Sequence, residues 1–221
     1  MKWYEPGDRI AVGVSGGKDS LVLLSGLAPL RAYYPKPFEV VALTIDPCFG
    51  GQQADFSPIS ALCASMDVEY HLRRSRLGEI IFEERKEKNP CSLCARMRRG
   101  ILHNMAKEAG CNKLALGHHF DDAVQTFFMN LFYGGKLSCF SPKISLPQGP
   151  LDGPPLNLYR RGGNPVSRTT PCTPRGQKRL PCGRRNQPPG HCFLIANLEH
   201  QFPDLRAKVM GAMQRSHLSN W

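Results

Sequence analysis

The stretch Val12–Ser20 reads VGVSGGKDS and joins an apolar, β-branched run, Ile10–Val14, to a second apolar run, Leu21–Leu24. The first run predicts a buried strand and the second predicts the start of a helix, with a glycine turn between them. Backbone N–H groups converge at the start of a helix, so this junction predicts a binding site for an anion. Gly16 and Gly17 carry no Cβ that would keep a phosphate away from the backbone.

The side chains of this loop also suit a phosphate ligand. Ser15 and Ser20 offer hydroxyl groups and Lys18 offers a positive charge. Asp19 follows the lysine, whereas a Walker A loop has Ser or Thr at that place, so the motif is a different one. A simpler interpretation is a glycine turn whose helix is capped by Asp19 and Ser20.

Four apolar runs, with helical patterns between them, predict a doubly wound parallel α/β sheet. The predicted strands are Arg9–Val14, Phe38–Ile45, Val68–Leu72 and Lys113–Leu116. The predicted helices are Asp19–Leu30, Phe56–Met66, Leu77–Arg85, Met97–Ala109, Asp121–Leu131, Leu194–His200 and Leu205–Met213. The carboxyl ends of parallel strands share one edge, so we expect one cleft to hold the SGGKDS loop, Thr44–Asp46 and Gly117–Asp122.

Length, charge and cysteine content narrow the class of protein. A chain of 221 residues suffices for one α/β domain with an extension, and no apolar run is long enough to cross a membrane. Nine cysteines, with a Met1–Pro6 start unlike a signal peptide, predict a cytoplasmic location and metal or redox chemistry rather than disulfides. The net charge of +11 favours a nucleic-acid partner, but +7 of it comes from residues 148–193.

A second motif, GHHFDD, occupies Gly117–Asp122 at the start of a predicted helix. Carboxylates at this place are good helix caps, which is the plain structural interpretation of Asp121 and Asp122. Beside a triphosphate, Asp19 and Asp122 would also suit Mg²⁺, which needs only one or two protein oxygens. A histidine of the same loop could contact phosphate or stabilise the charge that develops on it.

A third motif, Cys91-Ser92-Leu93-Cys94, stands just before three arginines, Arg96, Arg98 and Arg99. This cysteine spacing suits redox chemistry, zinc or an iron–sulfur cluster, but two thiols do not complete a site, and an inert pair stays possible. The arginines form either a solvated helix face or a contact to a phosphate backbone.

Taken together, SGGKDS, LTID, KNPCSLCARMRRG and ALGHHFDDAVQTFFMNLFYGG resemble the TtcA-type tRNA 2-thiocytidine synthetases, which are PP-loop ATP pyrophosphatases. The resemblance covers about Asp8 to Leu146 and resumes over Leu194–Trp221. It implies a PP-loop (adenine nucleotide alpha hydrolase-like) fold. It also implies a reaction in which ATP adenylates the C2 oxygen of cytidine 32 in a tRNA anticodon loop before sulfur replaces that oxygen.

The resemblance further implies ATP, Mg²⁺, a [4Fe–4S] cluster on three cysteines, a sulfur donor such as a cysteine desulfurase, and a homodimer. It implies catalytic roles for Lys18 and Asp19, and cluster ligation by Cys91 and Cys94. We expect Mg²⁺ ligation by Asp19 and Asp122, and tRNA contacts from Arg96, Arg98 and Arg99. The residues expected to bind ATP are Ser15, Gly16, Gly17, Lys18, Asp19, Ser20, Thr44, Gly117, His118 and Asp121.

The chain therefore divides into an ATP-binding catalytic domain over residues 1–147, an anomalous segment over 148–193, and a helical tail over 194–221. Two other functions stay open. One is a PP-loop enzyme that modifies another tRNA base, of the 2-thiouridine type. The other is an ATP-binding remnant with impaired catalysis.

Residues 148–193 depart from the family pattern. They hold nine of the 19 prolines and no alanine or glutamate, which is typical of a disordered basic insert. The family's third cluster cysteine is expected near residue 180, in a segment like Lys-Ser-x-Cys-Pro-Ala-Asp-Gly, and Cys182 is the nearest candidate. Read one nucleotide later, codons for Thr173–Cys192 can encode Leu-Pro-Val-Val-Lys-Ser-Ala-Cys-Pro-Ala-Asp-Gly-Glu-Thr-Ser-Arg-Gln-Ala-Thr. We therefore hypothesise a shifted reading frame from about Leu146 to about Phe193.

Overall fold

A computed structural model describes residues 5–81, 90–141, 144–146, 149–153 and 190–218, with the backbone alone at 90–92, 144–146, 149–153 and 190–193. Its strands are β1 (Asp8–Gly13), β2 (Phe38–Asp46), β3 (Glu69–Arg74), β4 (Lys113–Leu116), β5 (Ile144–Leu146) and β6 (Gly149–Gly153). Its α-helices are α1 (Lys18–Tyr33), α2 (Ser57–Ser65), α3 (Leu77–Glu79), α4 (Pro90–Glu108), α5 (Phe120–Gly134), α6 (Gly190–Gln201) and α7 (Leu205–Arg215). A 3₁₀ turn lies at Phe49–Gly51.

The strands form one sheet in the order β3-β2-β1-β4-β6-β5. All neighbouring pairs are parallel except β5 and β6, which are antiparallel. The chain runs outward from β1 to β3 and then returns to the other side of β1 with β4, so the strand order reverses between β1 and β4. In sheets of this kind, ligands bind outside the carboxyl ends of the strands at that reversal.

Apolar residues cover both faces of the sheet. One cluster packs α1 and α2 against one face, where Ile10 and Val12 point, and a second packs α3 and α4 against the other, where Ala11 points. Burial of successive residues on opposite faces explains why the strand sequences are almost continuously apolar. The predicted doubly wound parallel fold is confirmed.

The strand and helix predictions needed some corrections at their ends. The four predicted strands correspond to β1–β4 within two residues. Strands β5 and β6 were not predicted, because β5 has only three residues and β6 contains glycine and proline. Helix α4 starts at Pro90 rather than Met97, and proline is favoured in the first turn of a helix. The predicted helix Leu77–Arg85 begins with α3, and its last residues, 82–85, lie outside the described residues.

The last two helices pack on α5. Ile195 of α6 and Met210 and Met213 of α7 are almost fully buried with Phe120 and Phe128 of α5. These helices contain the predicted Leu194–His200 and Leu205–Met213, which are thereby confirmed. Residues 154–189 lie outside the described part, so the anomalous segment and its frame shift stay predictions, although β6 shows that residues 149–153 join the sheet. None of the described helices is both long and apolar enough to cross a membrane.

Candidate functional site

A cleft of about 350 Å³ opens at the carboxyl ends of β1 and β4, where the strand order reverses. The loop between β1 and α1, the loop after β4 and one face of α4 form its walls. The structure therefore brings together the three motifs that the sequence places far apart: the SGGKDS loop, the start of GHHFDD, and the arginines behind Cys94.

The SGGKDS loop is held in shape by its own two serines. The Ser20 hydroxyl donates to the Gly17 carbonyl oxygen at 2.8 Å and accepts from the Ser15 N–H at 3.2 Å. Gly16 has a φ of +77°, a conformation that favours glycine. Gly17 is the N-cap of α1, and Asp19 and Ser20 lie in its first turn, so neither of these two is the N-cap residue. Lys18 is exposed at the first position of α1.

Gly117, directly after β4, lies against the start of α1. A Cβ at this position would be 2.9 Å from the Ser20 nitrogen and 3.0 Å from the Asp19 carbonyl carbon. Real Cβ atoms do not approach backbone atoms so closely, and backbone cannot yield as a flexible side chain does. The contact explains why glycine stands here: it allows the two loops to share one cleft.

His119 is the site residue that the sequence analysis missed. Its side chain is 6% exposed; its Nε2 lies 3.9 Å from Asp19 Oδ2 and its Nδ1 3.5 Å from Asp122 Oδ2. It is also the N-cap of α5, where it forms a reciprocal capping box with Asp122. The three-residue spacing to an acidic residue is the sequence signal that could have identified it.

His118, which was expected to bind ATP, lines the cleft next to Gly117. Its ring packs against Phe140 with 5.1 Å between the ring centroids. Phe140 follows the turn after α5, and Asn130 holds that turn by donating to the Ser138 carbonyl oxygen at 3.0 Å. The orientation of His118 thus depends on the segment that returns from α5.

Asp121 and Thr44 have clear protein contacts of their own. Asp121 Oδ1 lies 3.0 Å from a guanidinium nitrogen of Arg206 in α7. Thr44 is fully buried, and its hydroxyl donates to the Val14 carbonyl oxygen at 2.9 Å, which ties β2 to the end of β1. Its neighbours Leu43 and Ile45, on the opposite face of the strand, line the cleft.

Helix α4 supplies the positive wall of the cleft. Ala95, Arg98, Arg99 and Leu102 recur at helical spacing and face the opening. Arg96 is exposed, so the three predicted arginines divide between the cleft and the outer surface. Cys94, one position before Ala95, is buried in the apolar cluster under the helix.

The described residues contain no group of three His, Cys, Asp or Glu that could hold a metal ion. Of the proposed cluster ligands, Cys94 has a described side chain, whereas Cys182 and the side chain of Cys91 lie outside the described part. The expected cluster site with three thiolate ligands therefore stays a prediction.

Comparison with known proteins agrees with this arrangement. The family model of the PP-loop domain matches residues 2–160. The chain belongs to the PP-loop family. The matched residues include the SGGKDS loop and the rest of the cleft lining, and the cleft is called the PP-loop cleft below.

Curated relatives place the chain within this family. The chain is 37% identical over 216 residues to the tRNA-cytidine(32) 2-sulfurtransferase of Syntrophotalea carbinolica. That alignment covers 95% of this chain and 82% of the relative. It is 44% identical over 144 residues to the protein of the same name from Geobacter sulfurreducens, and that alignment covers 65% of this chain and 55% of the relative. The resemblance to this group of PP-loop proteins is thereby confirmed.

A solved PP-loop structure has the same fold. The U34-tRNA thiolase NcsA from Methanococcus maripaludis, solved with its [4Fe-4S] cluster, superposes with a TM-score of 0.72 at 23% identity. The match covers 96% of this chain and 72% of that one. At this identity the likeness supports the fold.

Proposed function

We propose that this chain binds ATP in the PP-loop cleft and uses it to thiolate a tRNA. The observation that carries the proposal is the contact at Gly117, where the SGGKDS loop meets the GHHFDD loop. This contact sets the loop after β4 against the N-terminus of α1, at a cleft that Arg98 and Arg99 also line. Converging N–H groups and two guanidinium groups suit a polyphosphate.

In the proposed complex, the phosphates lie against the backbone of Ser15, Gly16 and Gly17 at the start of α1. Lys18 and Asp19 are the proposed catalytic residues: the ammonium group offsets negative charge on the phosphates, and Asp19, with Asp122, holds Mg²⁺. The other proposed ATP contacts are Ser20, Thr44, Gly117, His118 and Asp121. For Thr44 the observed bond to Val14 supports an indirect role, in which it holds the end of β1.

The proposed substrate is cytidine 32 of a tRNA, by analogy with the curated relatives, which are named tRNA-cytidine(32) 2-sulfurtransferase. The C2 oxygen of the base would attack the α-phosphorus of ATP and release pyrophosphate. A sulfur nucleophile would then add to C2, and AMP would leave with the former C2 oxygen. Activation is needed because a carbonyl oxygen leaves poorly, whereas AMP leaves readily. Arg96, Arg98 and Arg99 are the proposed contacts to the tRNA phosphates.

We also propose a [4Fe–4S] cluster with Cys91 and Cys94 as ligands and Cys182 as the nearest candidate for the third. Of these three cysteines, Cys94 is the one whose side chain lies in the described part of the chain. A cysteine desulfurase as sulfur donor, a homodimer and a cytoplasmic location belong to the same proposal and rest on the resemblance.

The test is the nucleoside content of tRNA from a strain that lacks the gene. Digested tRNA should contain no 2-thiocytidine, and the wild-type gene should restore it, whereas a gene encoding Asp19→Ala should not. Loss of a 2-thiouridine instead would support the uridine-modifying alternative. An unchanged set of thionucleosides would contradict the proposed activity and leave an ATP-binding remnant.

A further inference from the structure

Arg206 connects the C-terminal helices to the PP-loop cleft. From α7, its Nη1 lies 3.0 Å from Asp121 Oδ1 at the start of α5, and its Nε lies 2.8 Å from Glu199 Oε2 in α6. The Arg206 and Asp121 side chains are only 16% and 15% exposed, so water screens this ion pair far less than an exposed one. A planar guanidinium group is suited to binding two carboxylates at once.

The other oxygen of Asp121 lies near His119, and His119 in turn lies near Asp19, which lines the cleft. Asp121 Oδ2 lies 3.9 Å from His119 Nδ1, and His119 Nε2 lies 3.9 Å from Asp19 Oδ2. A continuous series of side chains therefore runs from α7, through the start of α5, to the SGGKDS loop at the start of α1.

The charges in this series explain what Arg206 does. His119 is surrounded by three carboxylates, those of Asp19, Asp121 and Asp122. With Arg206 in place, Asp121 is balanced by a guanidinium group on the side away from His119. Without Arg206, Asp121 loses the guanidinium group that fixes its Oδ1, so its carboxylate can turn about its own bonds, and the placement of His119 against Asp19 is no longer held from this side.

We propose that Arg206 is a positioning residue of the ATP site, which holds Asp121 so that His119 stays against Asp19. The proposal rests on the proposed function, because Asp19 is taken there as a residue of the ATP site. In this proposal, helices α6 and α7 belong to the nucleotide site and are not a separate tail. Coupling of this kind commonly changes the affinity for a ligand by about fivefold or more.

The experiment compares Arg206→Gln with two matched changes on the same helix. Lys208→Ala removes an exposed cation from α7, and Met213→Ala loosens the packing of α7 on α5 without touching the ion pair. The ring-nitrogen signals of His119 are followed by NMR in the full chain labelled at its seven histidines, and they are assigned by their loss in His119→Asn. Affinity for a non-hydrolysable ATP analogue is measured by calorimetry.

Arg206→Gln should shift the His119 signals and weaken ATP-analogue binding about fivefold or more, whereas Lys208→Ala should do neither. Arg206→Lys keeps the charge but loses the fork, so it should recover part of the affinity, and it serves as the test variant if Arg206→Gln does not fold. Unmoved His119 signals in Arg206→Gln, or an equal shift in Met213→Ala, would overturn the positioning role. A wild-type chain that binds no ATP analogue would instead overturn the proposed function, and with it any role of Arg206 at an ATP site.

Discussion

A Cβ on Gly117 would lie 2.9 Å from the backbone nitrogen of Ser20. The loop after β4 and the start of α1 therefore touch through backbone, with no room for any side chain between them. Since α1 carries the N–H groups proposed to bind phosphate, this contact fixes where they point.

Gly117→Ala should therefore weaken ATP binding by about tenfold or more, because the methyl group must push the two loops apart, and displacements of about 1 Å are costly at reacting sites. Calorimetry with a non-hydrolysable ATP analogue measures the effect. Gly26→Ala in α1 is the matched control, since a Cβ there meets nothing within 4 Å. It should leave the affinity unchanged and stabilise the chain by roughly 0.5–1 kcal/mol. Equal ATP affinity in both variants would refute the proposed placement of ATP.

Asp19→Ala should abolish the release of AMP from ATP in the presence of tRNA, because Asp19 is the proposed Mg²⁺ ligand and faces His119 across 3.9 Å. AMP is measured by chromatography after incubation with radiolabelled ATP. Asp67→Asn, at a fully exposed aspartate with a φ of +52° that asparagine also tolerates, is the control and should release AMP like the wild type. Normal AMP release by Asp19→Ala would sink the catalytic assignment.

Much of this site could be predicted from the sequence because its chemistry lies in contiguous motifs. SGGKDS and GHHFDD each come directly after an apolar strand. Because parallel strands bring their carboxyl ends together at one edge of the sheet, the cleft could be predicted from the sequence alone. His119 was missed because its role depends on Asp19, which lies 100 positions earlier in the sequence. Arg206 was missed for the same reason: nothing near it in sequence indicates that α7 returns to Asp121. Strand β6 was missed because Gly149–Gly153 is a strand through its pairing with β4 and not through its composition.

Far from the cleft, Lys113 Nζ lies 2.6 Å from Asp8 Oδ2, and both side chains are buried. Burial alone would raise the pKa of Asp8, but hydrogen bonds from Lys113, the Glu5 N–H and Asn112 outweigh it and hold the pKa below its ordinary value. A carboxyl group with a lowered pKa in the folded state stabilises the fold above its unfolded pKa. That contribution is lost as the pH falls below about 4 and through the lowered pKa.

Asp8→Asn should therefore destabilise the chain by about 3 kcal/mol at pH 7, since it leaves the Lys113 ammonium group buried without its carboxylate. The difference from the wild type should shrink as the pH falls below about 4. Urea unfolding followed by circular dichroism at several pH values measures it. Glu79→Gln, which breaks the exposed pair with Arg76, should have no measurable effect. A difference that does not depend on pH in this range would contradict the assignment to Asp8 ionisation.

The hypothesis of a shifted reading frame predicts the iron content of two forms of the chain. The chain as printed offers Cys91 and Cys94, but its cysteine nearest to the expected third ligand, Cys182, stands in an unrelated local sequence. Cluster assembly needs every thiolate ligand in place, so after anaerobic reconstitution this form should show little iron and no broad absorbance near 400 nm.

Replacing Thr173–Cys192 by the shifted reading, which contains Lys-Ser-Ala-Cys-Pro-Ala-Asp-Gly, should restore both the iron content and the absorbance. In that restored form, Cys91→Ala should abolish the absorbance again, whereas Cys63→Ala, at a buried cysteine of α2, should not. A stable cluster in the chain as printed would show that residues 148–193 are authentic and already supply the third ligand.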